Sequence, residues 1–362
     1  MLRKIFCLLL LSQASWSQWK VQPSGTDASF RSVYALSDQV CWVGGSKGQI
    51  LRTENGGEHW DIFHVTEGLD FRDIHAFSTE VAVAMSAGEA EKGAARIYRT
   101  EDAGKTWQLV YQTHQKGVFL DGLDFWDKQH GICFGDPIDN KLFILVTSDG
   151  GKSWSEVPRA KFPIMEEGEA AFAASGTSLV VSNKRWAWIG TGGSKKARVF
   201  RSKDYGYSWE VAETPLTAGK TSGIFGLYFQ NRFRGIAVGG DYQHVTDSTQ
   251  NVLLTEDGGK TWNVMPSTQP PGLKEAVRLY RQENRTTVEG SPVGTVLERL
   301  IAVGPSGTCY SMDNGKTWKE LDRSAFHALS FAGTTGWAVG GKGLIARFEG
   351  FRQTTKRKKA TN

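Results

Sequence analysis

The sequence predicts an all-β protein: a single seven-bladed β-propeller of four-stranded antiparallel blades, its ring closed by the N-terminal strand. Three observations carry that expectation. An eight-residue segment recurs six times and ends each time in tryptophan, at Trp60, Trp107, Trp154, Trp209, Trp262 and Trp318, at intervals of 47 to 56 residues. Short apolar runs stand in a fixed order around each copy. The final unit lacks its fourth run, and a matching one, Gln18-Trp19-Lys20-Val21, stands near the start of the chain. Periods of this length mark repeat architectures, and four short strands per unit describe a propeller blade.

Residues 1–17 read as an export signal. Arg3 and Lys4 precede the apolar run Ile5 to Leu11, and the small residues Ala14, Ser15 and Ser17 follow near a cleavable site. That run is far short of the ~20 residues needed to span a bilayer. The mature chain is therefore expected to lack a transmembrane segment and to be periplasmic or extracellular. Cys41, Cys133 and Cys309 remain after the signal, each in a strand-like run and none at metal-ligand spacing, so buried thiols are expected.

The net charge of +5 sits at the chain ends, in Arg3, Lys4, Arg352, Lys356, Arg357, Lys358 and Lys359. The propeller, residues 18–350, is close to neutral, which excludes a nucleic-acid partner for it. Residues 351–362 have no apolar anchor and read as a disordered basic tail.

The repeated segment has the chemistry of a turn. Its forms include Thr53-Glu54-Asn55-Gly56-Gly57-Glu58-His59-Trp60 and Thr255-Glu256-Asp257-Gly258-Gly259-Lys260-Thr261-Trp262. The pattern Ser/Thr-x-Asp-x-Gly-x-Thr/Ser-Trp resembles the Asp box of the bacterial neuraminidase repeat. Asn55, Asp102, Asp149, Asp204, Asp257 and Asp313 can accept from backbone N–H groups ahead of them, and the glycine supplies a positive φ. A Ca²⁺ loop would need oxygen ligands at alternate positions and a later bidentate Glu, which the boxes lack. These six residues are expected to be structural.

Before each box stand two strands, such as Cys41-Trp42-Val43-Gly44 and Ile50-Leu51-Arg52. Ahead of them is a first strand such as Phe30-Arg31-Ser32-Val33-Tyr34-Ala35. Unit starts near Phe30, Phe71, Leu120, Glu169, Ile224, Lys274 and Phe326 give seven blades. A polar insertion, Gln282 to Val296, belongs to blade 6 on the box side.

The boxes join third to fourth strands, so the connections between second and third strands, and from blade to blade, share the opposite face. We term it the link face. It carries the irregular polar loops, and with them the candidate binding residues Asp136, Glu166, Glu169, Arg198, Asp241 and Tyr242. Aligning the innermost strands also puts Arg31, Arg72, Asp121, Phe225, Glu275 and His327 at equivalent positions. This mixed ring either lines the axial channel or neutralises itself in ion pairs, and its mixed signs favour the second.

The whole propeller resembles the photosystem II stability/assembly factor-like proteins, a branch of the neuraminidase-repeat propellers. The resemblance rests on the six boxes, the Val-Gly-Gly strand ends, and segments such as Gly135-Asp136-Pro137, Gly168-Glu169-Ala170-Ala171-Phe172-Ala173-Ala174-Ser175-Gly176-Thr177 and Val238-Gly239-Gly240-Asp241-Tyr242. These look like the exported, non-photosynthetic relatives. The resemblance implies a propeller that binds or assembles a protein complex or ligand, as a monomer.

A glycosidase is the alternative, because sialidases share the box. They use an arginine triad, a Tyr–Glu nucleophile pair and an Asp acid/base. Arg31 lies in Phe30-Arg31-Ser32-Val33 without the expected Ile-Pro, and Phe71-Arg72 repeats it. Tyr280 or Tyr310 is the available nucleophile, without an identifiable Glu neighbour. A quinone-dependent oxidoreductase would place two residues between Lys and Trp of each motif, where this chain has one. No nicotinamide or flavin fingerprint and no metal-ligand spacing occurs, so no cofactor or metal is expected. A protein or glycan partner without catalysis is the reading the sequence supports.

Overall fold

The computed structural model describes residues 18–182, 185–247, 250–288 and 291–351. The expected export signal and all but the first residue of the basic tail lie outside them. Seven four-stranded antiparallel sheets succeed one another along the chain. The N-terminal strand, Trp19–Gln22, pairs with Ile345–Phe348 of the last blade, from Trp19 opposite Phe348 to Gln22 opposite Ile345. Its anchor is Trp19, whose ring lies 5.1 Å from Phe326 and 4.9 Å from Phe348. Closing the ring in this way leaves no long exposed sheet edge.

The second and third strands of a blade are buried on both sides because each sheet is sandwiched between two others. Cys41–Gly45 and Gln49–Thr53 are buried at every position. The apolar clusters accordingly straddle blade boundaries. Val83, Met85 and Ile97 of blade 2 pack with Leu123, Cys133 and Leu145 of blade 3. Trp188 and Val199 of blade 4 pack with Leu227 and Leu253 of blade 5. Each such side chain contributes about 1.5–3 kcal/mol by leaving water. Cys41, Cys133 and Cys309 are free and buried in these layers.

Two units depart from the regular pattern. In blade 6 the first two strands, Ala276–Val288 and Ser291–Val303, stay paired far beyond the blade and make a hairpin on the box face, where the insertion was expected. In blade 4 the sequence places the first strand near Glu169; the structure places it at Leu179–Ser182. The residues between are not a strand. Gly168 and Gly176 both take left-handed φ values, 75° and 68°, which an extended strand cannot continue through. The small run Ala170-Ala171-Phe172-Ala173-Ala174 between them instead crosses the propeller axis.

Candidate functional site

The two faces differ in how their polar groups are satisfied. In all six boxes the first hydroxyl donates to the Asp or Asn two residues on, at 2.8–3.0 Å. The same hydroxyl accepts from the glycine N–H four residues on, again at 2.8–3.0 Å. In five boxes the second carboxylate oxygen takes a 2.6 Å bond from the following Thr or Ser hydroxyl. His59 replaces that hydroxyl in the Asn55 box. Burial pushes the Asp257 carboxyl up, but the bonds from Thr261 and Thr255 outweigh it and hold it at about 2. Asp102, Asp149, Asp204 and Asp313 are also held below the usual carboxylate range. These groups close turns and have little left to offer a ligand.

The link face is built differently. In blades 1, 2, 3 and 5 the innermost strand carries a register shift, and the skipped residues are Arg31, Arg72, Asp121 and Phe225. A bulge re-aims a side chain, and here all four line one cavity at the channel mouth. Glu275 and His327 of blades 6 and 7 complete the ring around a volume of about 570 Å³. Asp136, Phe172, Lys220 and Tyr242 also line it.

The crossing segment provides the inner wall. Arg72 donates to the Ala173 carbonyl at 3.1 Å and Arg31 to that of Ala174 at 3.4 Å. Ser175 and Thr177 donate to the Glu275 carbonyl at 2.7 and 3.2 Å, and Phe172 stacks on Phe225 with centroids 4.1 Å apart. A side chain at Gly176 would collide with Asp73, its Cβ 2.4 Å from Oδ1. One segment thus touches blades 1, 2, 5 and 6, which only a string of small residues can do so close to the axis.

Both readings of the mixed ring hold in part. Arg31 faces Glu275 at 3.8 Å, His327 Nδ1 lies 2.6 Å from the other Glu275 oxygen, and Arg72 Nε donates to Asp70 at 2.8 Å. The ring is partly self-neutralised and it also lines the cavity.

The remaining candidates separate. Glu169 and Arg198 do not face the cavity: their side chains are 0% and 9% exposed and paired with each other. Arg198 Nε donates to Glu169 at 3.0 Å, and the Thr191 hydroxyl and the Glu166 N–H donate to it at 2.6 and 2.9 Å. This buried bolt fixes the start of the crossing segment to blade 4. Glu166 borders a separate shallow groove with Lys195 and Lys220 and accepts from Ser194. Asp241 caps its own turn, accepting from the Gln243 N–H at 2.8 Å with His244 Nδ1 at 3.1 Å, and faces another cavity. Tyr242 is 48% exposed and stands at the mouth, edge-on to Phe172. The sialidase-type nucleophiles are not assembled: Tyr280 is buried in the core against Phe348, and Tyr310 packs on Phe351.

Sequence reasoning missed Phe172, Lys220 and the crossing segment as cavity walls. The signal available is the interval between Trp154 and Trp209, which exceeds the 47 residues separating the boxes before it. Among the described residues no group of three or more His, Cys, Asp or Glu side chains could hold a metal ion, and no helix is long and apolar enough to cross a membrane.

These features define a seven-bladed propeller whose axial mouth is closed from within by its own chain. The structure is similar to that of the photosystem II assembly factor YCF48. YCF48 from Cyanidioschyzon merolae superposes with a TM-score of 0.63 at 15% identity, over 91% of this chain and 98% of that one. YCF48 bound to a D1 peptide gives 0.61 at 14% identity, over 92% and 97%. At these identities the likeness establishes a common fold. A curated xyloglucanase from Paenibacillus sp is 24% identical over 201 residues, 53% of this chain. The match spans only 15% of the xyloglucanase's length. No family model matches the chain.

Proposed function

We propose that this chain is an exported binding and assembly scaffold that engages a protein partner at the axial mouth of its link face. The observation that carries the reading is the cavity itself. Six blades each contribute the same strand position, and the size, about 570 Å³, suits a ligand or several side chains. The YCF48 complex with a D1 peptide supports a protein partner, because a propeller of the same fold is seen there holding a polypeptide. Export rests on the basic pair Arg3 and Lys4, the apolar run Ile5 to Leu11 and the small residues after it.

The test is a pull-down from the native envelope fraction with wild type and with Arg31→Ala/Tyr242→Ala. A discrete partner captured by the wild type and lost from the variant supports the reading. Equal capture by both excludes the mouth.

The xyloglucanase match favours glycan hydrolysis as a second reading. Its weakness is the state of the carboxylates: Glu275, on the opposite wall from Asp121 and Asp136, is engaged by His327 and Arg31 and is not free to act beside them. Release of reducing ends from xyloglucan, abolished by Asp136→Asn, would replace the scaffold reading.

A further inference from the structure

The charges around the mouth are unevenly satisfied. Arg72 is engaged by Asp70 and the Ala173 carbonyl, Arg31 by the Ala174 carbonyl and Glu275, and Glu275 by His327. Lys220 stands at the rim. The remaining charged pair is Asp121 and Asp136, on the blade 3 wall. Asp121 is only 1% exposed, and its Oδ2 has no hydrogen-bond partner among the described residues. Oδ1 of Asp136 is also buried without one. Burial, and then the charge of Asp136, pushes the Asp121 carboxyl well up, with Arg72 countering only in part. Burial raises Asp136 to about 6, opposed by the Ala171 N–H.

A buried carboxylate oxygen without a donor costs stability, and natural proteins tolerate it chiefly where something else completes the site. The groups facing this wall are Arg72, Arg31, Lys220, Glu275 and His327, and none gives these two oxygens a hydrogen bond. Beside the wall, Phe119, Ala171 and Phe172 offer apolar surface. Such surface accommodates the aliphatic stem of a long basic side chain while its head reaches polar groups beyond.

We propose that the Asp121–Asp136 wall is a seat for the guanidinium or ammonium group of a lysine or arginine side chain presented by the protein partner. The guest N–H groups donate to the carboxylate oxygens of Asp121 and Asp136 that lack a partner within the chain, and its charge faces theirs across the wall. The inference rests on the reading of the mouth as a protein-binding site and names what that site selects.

The test uses the full chain with two tripeptide probes, acetyl-Ala-Arg-Ala-amide and its citrulline counterpart, which keeps the shape and removes the charge. Binding is followed by chemical-shift titration at millimolar concentration. The arginine probe is expected to bind at least about tenfold more tightly than the citrulline probe, the scale of a charge-assisted hydrogen bond. Asp136→Asn should remove that preference, and Asp121→Asn should do the same. Lys260→Ala, which removes an exposed cation on the box face, should leave it intact. Asp136 is the less buried of the pair, so its variant keeps the test valid if Asp121→Asn fails to fold. Equal binding of the two probes, no binding of the arginine probe, or a preference that survives Asp136→Asn would overturn the seat. The two readings fail separately. A partner lost with Arg31→Ala/Tyr242→Ala but no arginine preference leaves the scaffold and removes the seat. An arginine preference with no partner captured leaves the seat and removes the scaffold.

Discussion

The box face and the link face are made from the same seven sheets and treat their carboxylates in opposite ways. At the boxes each Asp is half-buried or exposed and saturated with hydrogen bonds, as Asp257 is by Thr255 and Thr261. At the mouth Asp121 and the Oδ1 of half-buried Asp136 are out of solvent and incompletely bonded. The lesson is that the repeated residues hold the architecture, while recognition chemistry collects where the repeat is interrupted by the crossing segment and by bulges that turn side chains to the axis.

The sharpest way to break this comparison is at the bolt behind the mouth. Glu169→Ala leaves the Arg198 guanidinium buried without its partner, and such a change costs about 3–5 kcal/mol. Urea denaturation should record that loss, and Glu169→Ala/Arg198→Met should recover part of it. A smaller effect is expected on the box face. Thr255→Val removes the hydroxyl that satisfies the buried Gly259 N–H, at about 1–3 kcal/mol, with no change in binding at the mouth.

Acidity separates the faces by sign. The box carboxyls are held low, so their contribution is present above the unfolded value of about 3.9 and is lost as pH falls toward the folded value, about 2 for Asp257. Asp136 is raised to about 6. Between the unfolded value and 6 the folded state therefore holds the extra proton, and this group makes stability fall as pH rises. Asp136→Asn should flatten the fall between pH 4 and 6 and leave the acid limb unchanged, as read from unfolding midpoints across pH. The smallest stability effect belongs to Tyr242→Ala at the rim, within about 0.5 kcal/mol of wild type, although partner capture should weaken.

Much of the fold is legible in the sequence because box, strand order and the orphan first strand all repeat a local pattern. The innermost-strand alignment also finds Arg31, Arg72 and His327, since equivalent positions in a propeller point to one axis. What stays hidden is long-range. Nothing local to Glu169 or Arg198 reveals that two charges in glycine-rich loops meet in a buried pair. Ala170 to Ala174 reads as a weak strand until Gly168 and Gly176 are seen in left-handed conformations. Asp136 is legible as a link-face residue, but its buried, unbonded oxygen depends on neighbours from other parts of the chain.

The most direct measurement is hydrogen–deuterium exchange of the chain with and without the partner captured from the envelope. Protection confined to residues 119–121, 134–136, 170–174 and 242–245, with the six boxes unchanged, is the expected result. Protection concentrated at the boxes, with the mouth exchanging as in the free chain, would rule out the axial site.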